Sequence, residues 1–199
     1  MNPIDMSAVR NAIDSACRLF RRLAGDKQGV AGIEMAMVTP FLLILLCGGS
    51  EISLYARSHF QASQMASTVA DAVSRYEAIT SADITSIFSV SSEVMGSADF
   101  AENGYVILSS VSRTNGANPV VAWQCKGGAL VKDSRIGAVT KAAALPGSLT
   151  LDTTDNVIVA EVFYQYTPMF ETFVPVEKQL YKTAVFRPRL GSLTSAPGC

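Results

Sequence analysis

The feature that most constrains the fold is an apolar run from Val30 to Gly48. An α-helix needs roughly 20 such residues to cross the hydrocarbon core of a bilayer, and this run is about that long. Glu34 lies near its start and Pro40 near its middle. A carboxylate in hydrocarbon costs on the order of 2.5–3.5 kcal/mol, and a proline removes a helix hydrogen bond. The run therefore predicts a membrane helix that retains two costly residues.

Charge differs between the two sides of this run. Residues 1–29 carry five basic and three acidic side chains, whereas the remainder carries 11 basic and 14 acidic ones. Basic residues on the N-terminal flank predict that this end is cytoplasmic and that the rest lies across the membrane. The formal net charge of −1 excludes the basic field that attracts nucleic acid. Since no second run of comparable length follows, we expect a single-pass protein.

Two other interpretations of the run stay open. A secretory signal could be cut at the small residues Gly48, Gly49 and Ser50, although roughly 40 residues precede the apolar core and signals usually span 15–30. A lipoprotein signal at Cys47 would need a small residue in place of Leu46.

Helical periodicity extends on both sides of the run. Residues 4–24 have apolar groups at spacings of three and four and predict an amphipathic leader helix with a basic face. Beyond Gly48 the same period continues to Tyr76, which predicts one continuous helix of about 47 residues. We therefore expect a leader at 1–29, a membrane helix at 30–48, an extension of that helix at 49–78 and a globular domain at 79–199.

The globular part predicts a mixture of short helices and strands. A helix is expected from Ser81, as its N-cap, to Met95, with Gly96 as its stop, and another near Ile136–Ala144. Asn115-Gly116 is a hairpin signal. Four strands are expected, at Tyr105–Arg113, Val120–Cys125, Asn156–Tyr166 and Leu180–Phe186. The fold class is α+β, with the long N-terminal helix packed on a small antiparallel sheet.

The start of the apolar run carries a specific resemblance. A basic leader, Gly29, four residues and then Glu34 before an apolar helix are similar to the processing signal of type IV prepilins. More narrowly, GVAGIEMAMVTP resembles the opening of TadE-like pseudopilins of the tight-adherence (Tad, or Flp-type) pilus, with Pro40 six residues after the glutamate. Met35 stands where an aromatic residue is usual. The stretches 164–170 and 187–189 also resemble the C-terminal part of such proteins.

The resemblance implies a pilin-like fold and a function in pilus assembly. Prepilin peptidase would cut between Gly29 and Val30, and Glu34 would meet the new amine of a neighbouring subunit. The expected partners are that peptidase, the major pilin, other pseudopilins, the inner-membrane pilus platform and the lipid bilayer. The protein would lie in the bacterial inner membrane with its C-terminal domain in the periplasm, or enter an extracellular pilus. The alternative is an unprocessed single-pass membrane protein with a periplasmic binding or interaction domain.

Other residues carry weaker signals. Gly32 and Ala36 form a small-x-x-x-small pair of the kind that lets helices approach closely, and Pro40 either bends the helix or weakens it near Ala36. A disulfide between Cys125 and Cys199 would close a loop worth about 2–4 kcal/mol; two separate thiols are the alternative.

Catalytic and metal-binding patterns are lacking in the sequence. The single histidine, His59, lies on the helical stripe, where a packing role is expected. Neither a metal-ligand cluster, a nucleophile elbow nor a phosphate loop can be found. Asp152, Asp155 and Glu161 are expected to be solvated. We therefore predict no enzyme activity and no cofactor.

Overall fold

The computed structural model of the chain describes residues 28–170 and 175–199. The predicted leader at 1–29 falls almost wholly outside these residues, and so does Cys17. The chain divides into two units between Cys47 and Gly48, and each unit is described by itself below. The expected α+β class is confirmed, with a long N-terminal helix and a four-stranded antiparallel sheet.

The long helix, α1, covers Gln28–Ser74, which is 47 residues. From the fourth turn beyond Gly48 onward, one stripe of it is wholly buried against the sheet. The buried side chains recur at spacings of three and four, as an amphipathic helix requires, and they are Ala62, Met65, Ala66, Val69, Ala70 and Val73. Ile52 lies on the predicted stripe but is 57% exposed, so the packed stripe begins later than its periodicity indicates.

Helix α1 ends at Ser74, four residues before the predicted boundary at 78. The amide of Arg75 donates to the carbonyl of Ala72 at 3.3 Å. This hydrogen bond spans three residues instead of four, which is common in the last turn of a helix. The Ser74 carbonyl accepts from the backbone amide of Arg189 at 2.8 Å. The Arg189 guanidinium also donates to Asp71 at 2.7 Å. A distant segment therefore satisfies the groups that a helix end leaves unpaired.

Two short helices follow. Helix α2 covers Ser81–Ser92, and its N-cap is Thr80 rather than the predicted Ser81. The Thr80 hydroxyl accepts from the Asp83 amide at 3.3 Å while the Asp83 carboxylate accepts from the Thr80 amide at 3.0 Å, which is a capping box. Helix α3, Ser97–Asn103, was not expected from the sequence.

The sheet has the strand order β2-β1-β3-β4, and all three pairings are antiparallel. The strands are β1 Gly104–Ser112, β2 Val120–Gly128, β3 Asn156–Gln165 and β4 Gln179–Phe186. In the β1–β2 connection Asn115 and Gly116 have φ values of 51° and 75°. These left-handed conformations suit asparagine and glycine and explain why this dipeptide marks the turn. All four predicted strands are confirmed to within a few residues.

One face of the sheet packs against α1. The predicted alternation along β3 is confirmed, since Ile158, Ala160, Val162 and Tyr164 all enter the same core as the buried stripe of α1. Because strand side chains alternate between faces, the residues between them must be covered from the other side.

The long β2–β3 connection, residues 129–155, covers that other face. Its Ile136 and Leu151 pack with residues of β1, β2 and β3 in a second core. The predicted helix near 136–144 is wrong, because Gly137 and Thr140 have φ values of 131° and 67°. The Thr140 amide instead donates to the Val121 carbonyl at 2.8 Å, so this segment pairs with the edge of β2.

Glu161 was expected to be solvated, and that prediction is wrong. It is 0% exposed on the face of β3 that the connection covers. Its carboxylate accepts from the Arg135 amide at 2.8 Å, the Tyr181 hydroxyl at 2.8 Å and the Ser134 hydroxyl. The Arg135 guanidinium lies 4.1 Å from the centre of the Tyr181 ring. Three donors therefore replace the water that the buried carboxylate loses.

The C-terminal tail is fixed to the sheet. Cys125 and Cys199 are joined by a disulfide with a Cα–Cα distance of 5.4 Å. The Leu193 carbonyl accepts from Trp123 Nε1 at 2.8 Å and from the Ser110 hydroxyl at 2.7 Å, and its amide donates to Asn156 at 3.2 Å. Side chains from three neighbouring strands thus hold one residue of the tail.

Candidate membrane segment and assembly site

The first part of α1 presents an apolar surface. The helix is long and apolar enough to cross a membrane, and none of its most apolar 18-residue stretch is buried within the chain. The exposed fractions of its large apolar side chains run from 48% at Val38 to 70% at Leu45. Water does not solvate such a surface favourably, so it requires an apolar environment outside the chain.

The residues of the predicted processing site lie at the start of the described part of α1. Gly29 follows Gln28, the first residue that the structure describes, and Val30 is 51% exposed. A Cβ atom added at Gly29 or at Gly32 would meet nothing within 4 Å. Among the described residues, nothing therefore crowds the position of a side chain at Gly29.

Glu34 is exposed on the apolar segment. Among the described residues its carboxylate has neither a hydrogen bond nor an ion pair. The side chain of Met37, three residues later, is 69% exposed, and most of the neighbouring side chains are exposed as well. Glu34 therefore lies on an exposed apolar surface, and no described residue neutralises its carboxylate.

Pro40 lies inside α1, which continues through it. Since proline has no amide hydrogen, the carbonyl of Ala36 loses its usual donor. One residue earlier, the Thr39 hydroxyl donates to the Met35 carbonyl at 2.6 Å. The helix thus contains one missing and one extra hydrogen bond within a single turn. Gly32 and Ala36 are exposed on the same segment, where a neighbouring helix can reach them.

A second carboxylate, Glu51, lies three residues beyond the apolar run and was not singled out from the sequence. It is 0% exposed. Its Oε1 accepts from the Tyr166 hydroxyl at 2.7 Å, and its Oε2 accepts from the amides of Met169 and Phe170 at 3.0 and 2.9 Å. Glu51 therefore binds the start of the β3–β4 connection to helix α1.

The Glu51 site is aromatic as well as polar. The Tyr55 ring packs edge-on against Tyr166, with ring centres 5.4 Å apart, and against His59, with centres 4.5 Å apart. Burial and the bond to Glu51 raise the pKa of Tyr166 to about 12. The Tyr166 hydroxyl lowers the pKa of Glu51, with further lowering by the two amides, against the opposing effect of burial. The hydroxyl thus stays a donor and the carboxylate stays charged at neutral pH.

His59 takes the expected packing role on α1. It contacts the Tyr55 ring, and burial together with the charge of Lys182 lowers its pKa. Residues 28–170 and 175–199 contain no group of three His, Cys, Asp or Glu side chains that could hold a metal ion.

The sequence gives only a partial signal for Glu51. A carboxylate directly after an apolar run marks a membrane boundary, but its acceptor role depends on residues about 115 positions away. Comparison with known proteins gives no matching family model, curated protein or solved structure.

Proposed function

We propose that this chain is a TadE-like minor pseudopilin that is cut after Gly29 and helps to assemble a Tad-type pilus. The observation that carries the proposal is Glu34, whose carboxylate has no partner among the described residues and which lies on an exposed apolar helix, five residues after an uncrowded glycine. A cost on the order of 2.5–3.5 kcal/mol for such a group needs a compensating partner.

Cleavage would create that partner. The α-amine of Val30 becomes a cation at the start of the membrane helix, and a neighbouring subunit can bring it to Glu34. In a medium of low dielectric constant, a paired carboxylate is far more stable than an unpaired one. Each subunit in the wrong axial position would leave one charge unpaired. Glu34 would thereby set the axial register of assembly.

The expected partners follow from this role. They are prepilin peptidase, the major pilin and other pseudopilins, the inner-membrane platform and the bilayer. Gly32 and Ala36 would allow close approach of a second helix, and Pro40 would let α1 bend during extraction from the membrane. The sheet domain would then lie in the periplasm, where its disulfide persists.

The deciding experiment is N-terminal sequencing of the protein from cells with and without prepilin peptidase. The proposal predicts a mature start at Val30 that depends on the peptidase. An intact N-terminus would instead identify an unprocessed membrane protein with a periplasmic interaction domain. A start near Gly49–Glu51 would identify a domain released by ordinary signal peptidase.

A matched pair of variants tests the cut site. Gly29→Trp should leave only precursor, because the indole ring blocks access to the bond. Gly49→Trp is the control, since a Cβ there also meets nothing within 4 Å and tryptophan is common at membrane interfaces. Equal processing of both variants would contradict the proposal.

Glu34 is tested at the assembly step. Glu34→Leu should be cut normally but should yield far fewer sheared pili, because the amine loses its counter-charge. Met37→Leu, on the same exposed surface, should leave both processing and pilus yield unchanged. Normal pilus yield from Glu34→Leu would exclude the proposed pairing.

A further inference from the structure

We propose that Asn115, in the turn between β1 and β2, is a site of spontaneous deamidation that forms a succinimide and then aspartate or isoaspartate. Water is the other reactant, and the reaction needs no enzyme. The inference goes beyond the proposed function and is independent of membrane insertion, processing and pilus assembly.

The reaction joins the asparagine side chain to the backbone of the next residue. The backbone nitrogen of Gly116 attacks Cγ of Asn115, so that a new N–Cγ bond forms and the Cγ–Nδ2 bond breaks. The proton of the attacking nitrogen leaves with Nδ2 as ammonia. Water then opens the succinimide ring at either of its carbonyl carbons, and the new carboxyl group ionises at neutral pH. Glycine is the least hindered residue to follow the asparagine, because it has no side chain.

The β1–β2 turn leaves both reacting groups accessible. Asn115 and Gly116 are exposed, and the Asn115 side chain has no hydrogen bond among the described residues. The Gly116 amide donates to the Thr153 carbonyl at 3.4 Å, which is weak beside the usual length of about 2.9–3.0 Å. A Cβ atom at Gly116 would be in ordinary contact with Thr153 Cγ2, at 3.7 Å. The side chain can therefore turn towards its own backbone, and little holds the attacking nitrogen in place.

A second Asn-Gly pair, Asn103-Gly104, lies where helix α3 meets β1 and is protected. Asn103 Nδ2 donates to Asp99 at 2.8 Å, which directs the side chain back along the helix. The Gly104 amide donates to the Phe100 carbonyl, and a Cβ atom at Gly104 would overlap the Phe100 ring. Gly104 is also buried. Attack at this site therefore requires the end of the helix and the start of the strand to open first.

The two remaining asparagines in the described part of the chain are excluded for other reasons. Asn118 precedes Pro119, whose backbone nitrogen carries no hydrogen and cannot form the succinimide. Asn156 is buried, and its Nδ2 donates to the Ser110 hydroxyl at 2.9 Å. The structure therefore selects Asn115 from the asparagines that it describes.

Mass spectrometry of tryptic peptides from the folded, full-length chain tests the proposal. The chain would be aged in detergent micelles near neutral pH, then reduced and digested at mildly acidic pH to prevent further reaction. Trypsin cuts after Arg75, Arg113 and Lys126. Asn103 and Asn115 therefore fall in different peptides, and the reaction of each is measured by the mass gained when an amide becomes a carboxyl group.

In the folded chain Asn115 should deamidate at least about tenfold faster than Asn103, because local opening limits the reaction at the second site. In urea with reductant the two sites should react at similar rates, since the fold alone protects Asn103. Equal rates in the folded chain would overturn the proposal, and so would an Asn115 that reacts only in urea.

Asn115→Ser is the matched variant, because it removes the side-chain amide and keeps Gly116 and Asn118 in the same peptide. That peptide should gain no mass on ageing. A gain equal to that of the wild type would place the reaction at another residue and would also overturn the proposal. None of these outcomes bears on a mature start at Val30, so the proposed function is tested separately.

Discussion

The disulfide between Cys125 and Cys199 should make a large contribution to the stability of the sheet domain. The two cysteines are 74 positions apart, so the bond removes much of the conformational freedom of the unfolded chain. The Cys199 side chain is exposed whereas Cys125 is 2% exposed. Cys199→Ser therefore removes the crosslink without opening a cavity, which makes it the better perturbation.

The expected magnitude follows from the loop length. Loop-closure entropy for a loop of this size corresponds to about 4 kcal/mol at 25 °C. With a urea dependence of about 2 kcal/mol per molar, the unfolding midpoint should fall by about 2 M. The single tryptophan, Trp123, reports the transition directly because it is 2% exposed and lies on the same strand as Cys125. Unfolding would be followed by its fluorescence in detergent micelles.

Two controls isolate the crosslink. Reductant should lower the wild-type midpoint to that of Cys199→Ser and should leave the variant unchanged. Cys47→Ser, which does not touch the disulfide, should unfold like the wild type. Before urea is added, the variant should keep native fluorescence, because Leu193 still accepts from Trp123. A midpoint within about 0.5 M of the wild type would refute the loop-entropy reasoning.

The remaining predictions concern buried groups. Met65→Ala should lower the free energy of unfolding by about 2–5 kcal/mol, whereas Gln64→Ala on the exposed side should change it by less than about 0.5 kcal/mol; equal urea midpoints would contradict the packing. Glu161→Ala should cost about 3 kcal/mol, because three donors lose their acceptor, and near-wild-type unfolding would show that water replaces it. Since the pKa of Glu51 lies below its ordinary 4.5, its stabilisation is complete above pH 4.5 and is lost as the pH falls through the lowered value. In thermal melts between pH 3 and 6, Tyr166→Phe should lose less stability on acidification than the wild type does. An unchanged pH profile would exclude the bond between Tyr166 and Glu51.

Local pattern was sufficient for most of the fold. The three-and-four spacing that continues beyond Gly48 predicted the long helix, and the alternation from Ile158 to Tyr164 predicted the buried face of β3. The structure confirms both predictions, because the periodicity of a single element decides which side chains it buries. The Asn115-Gly116 turn was equally local, since left-handed backbone at two successive positions selects those residues.

What the sequence did not reveal depends on partners far apart in the chain. Glu161 looked solvated because a charged residue in a strand usually faces water. Its donors come from a connection without regular structure and from β4. The β2–β3 connection was read as a helix near 136–144, yet its amides pair with β2, and no local periodicity encodes that pairing. Glu51 was overlooked for the same reason.

The two glutamates of α1, Glu34 and Glu51, have opposite environments, and this contrast is the reason for proposing that only Glu34 meets another molecule. Glu51 has three donors within the domain, so its charge is satisfied on folding and it fixes the β3–β4 connection. The Glu34 carboxylate has no donor among the described residues and lies on an exposed apolar surface. A buried or lipid-facing charge is tolerated when a cation or donors meet it. The fold supplies these for Glu51, whereas the described residues supply neither for Glu34, and this is why we propose the amine of a neighbouring subunit as its partner.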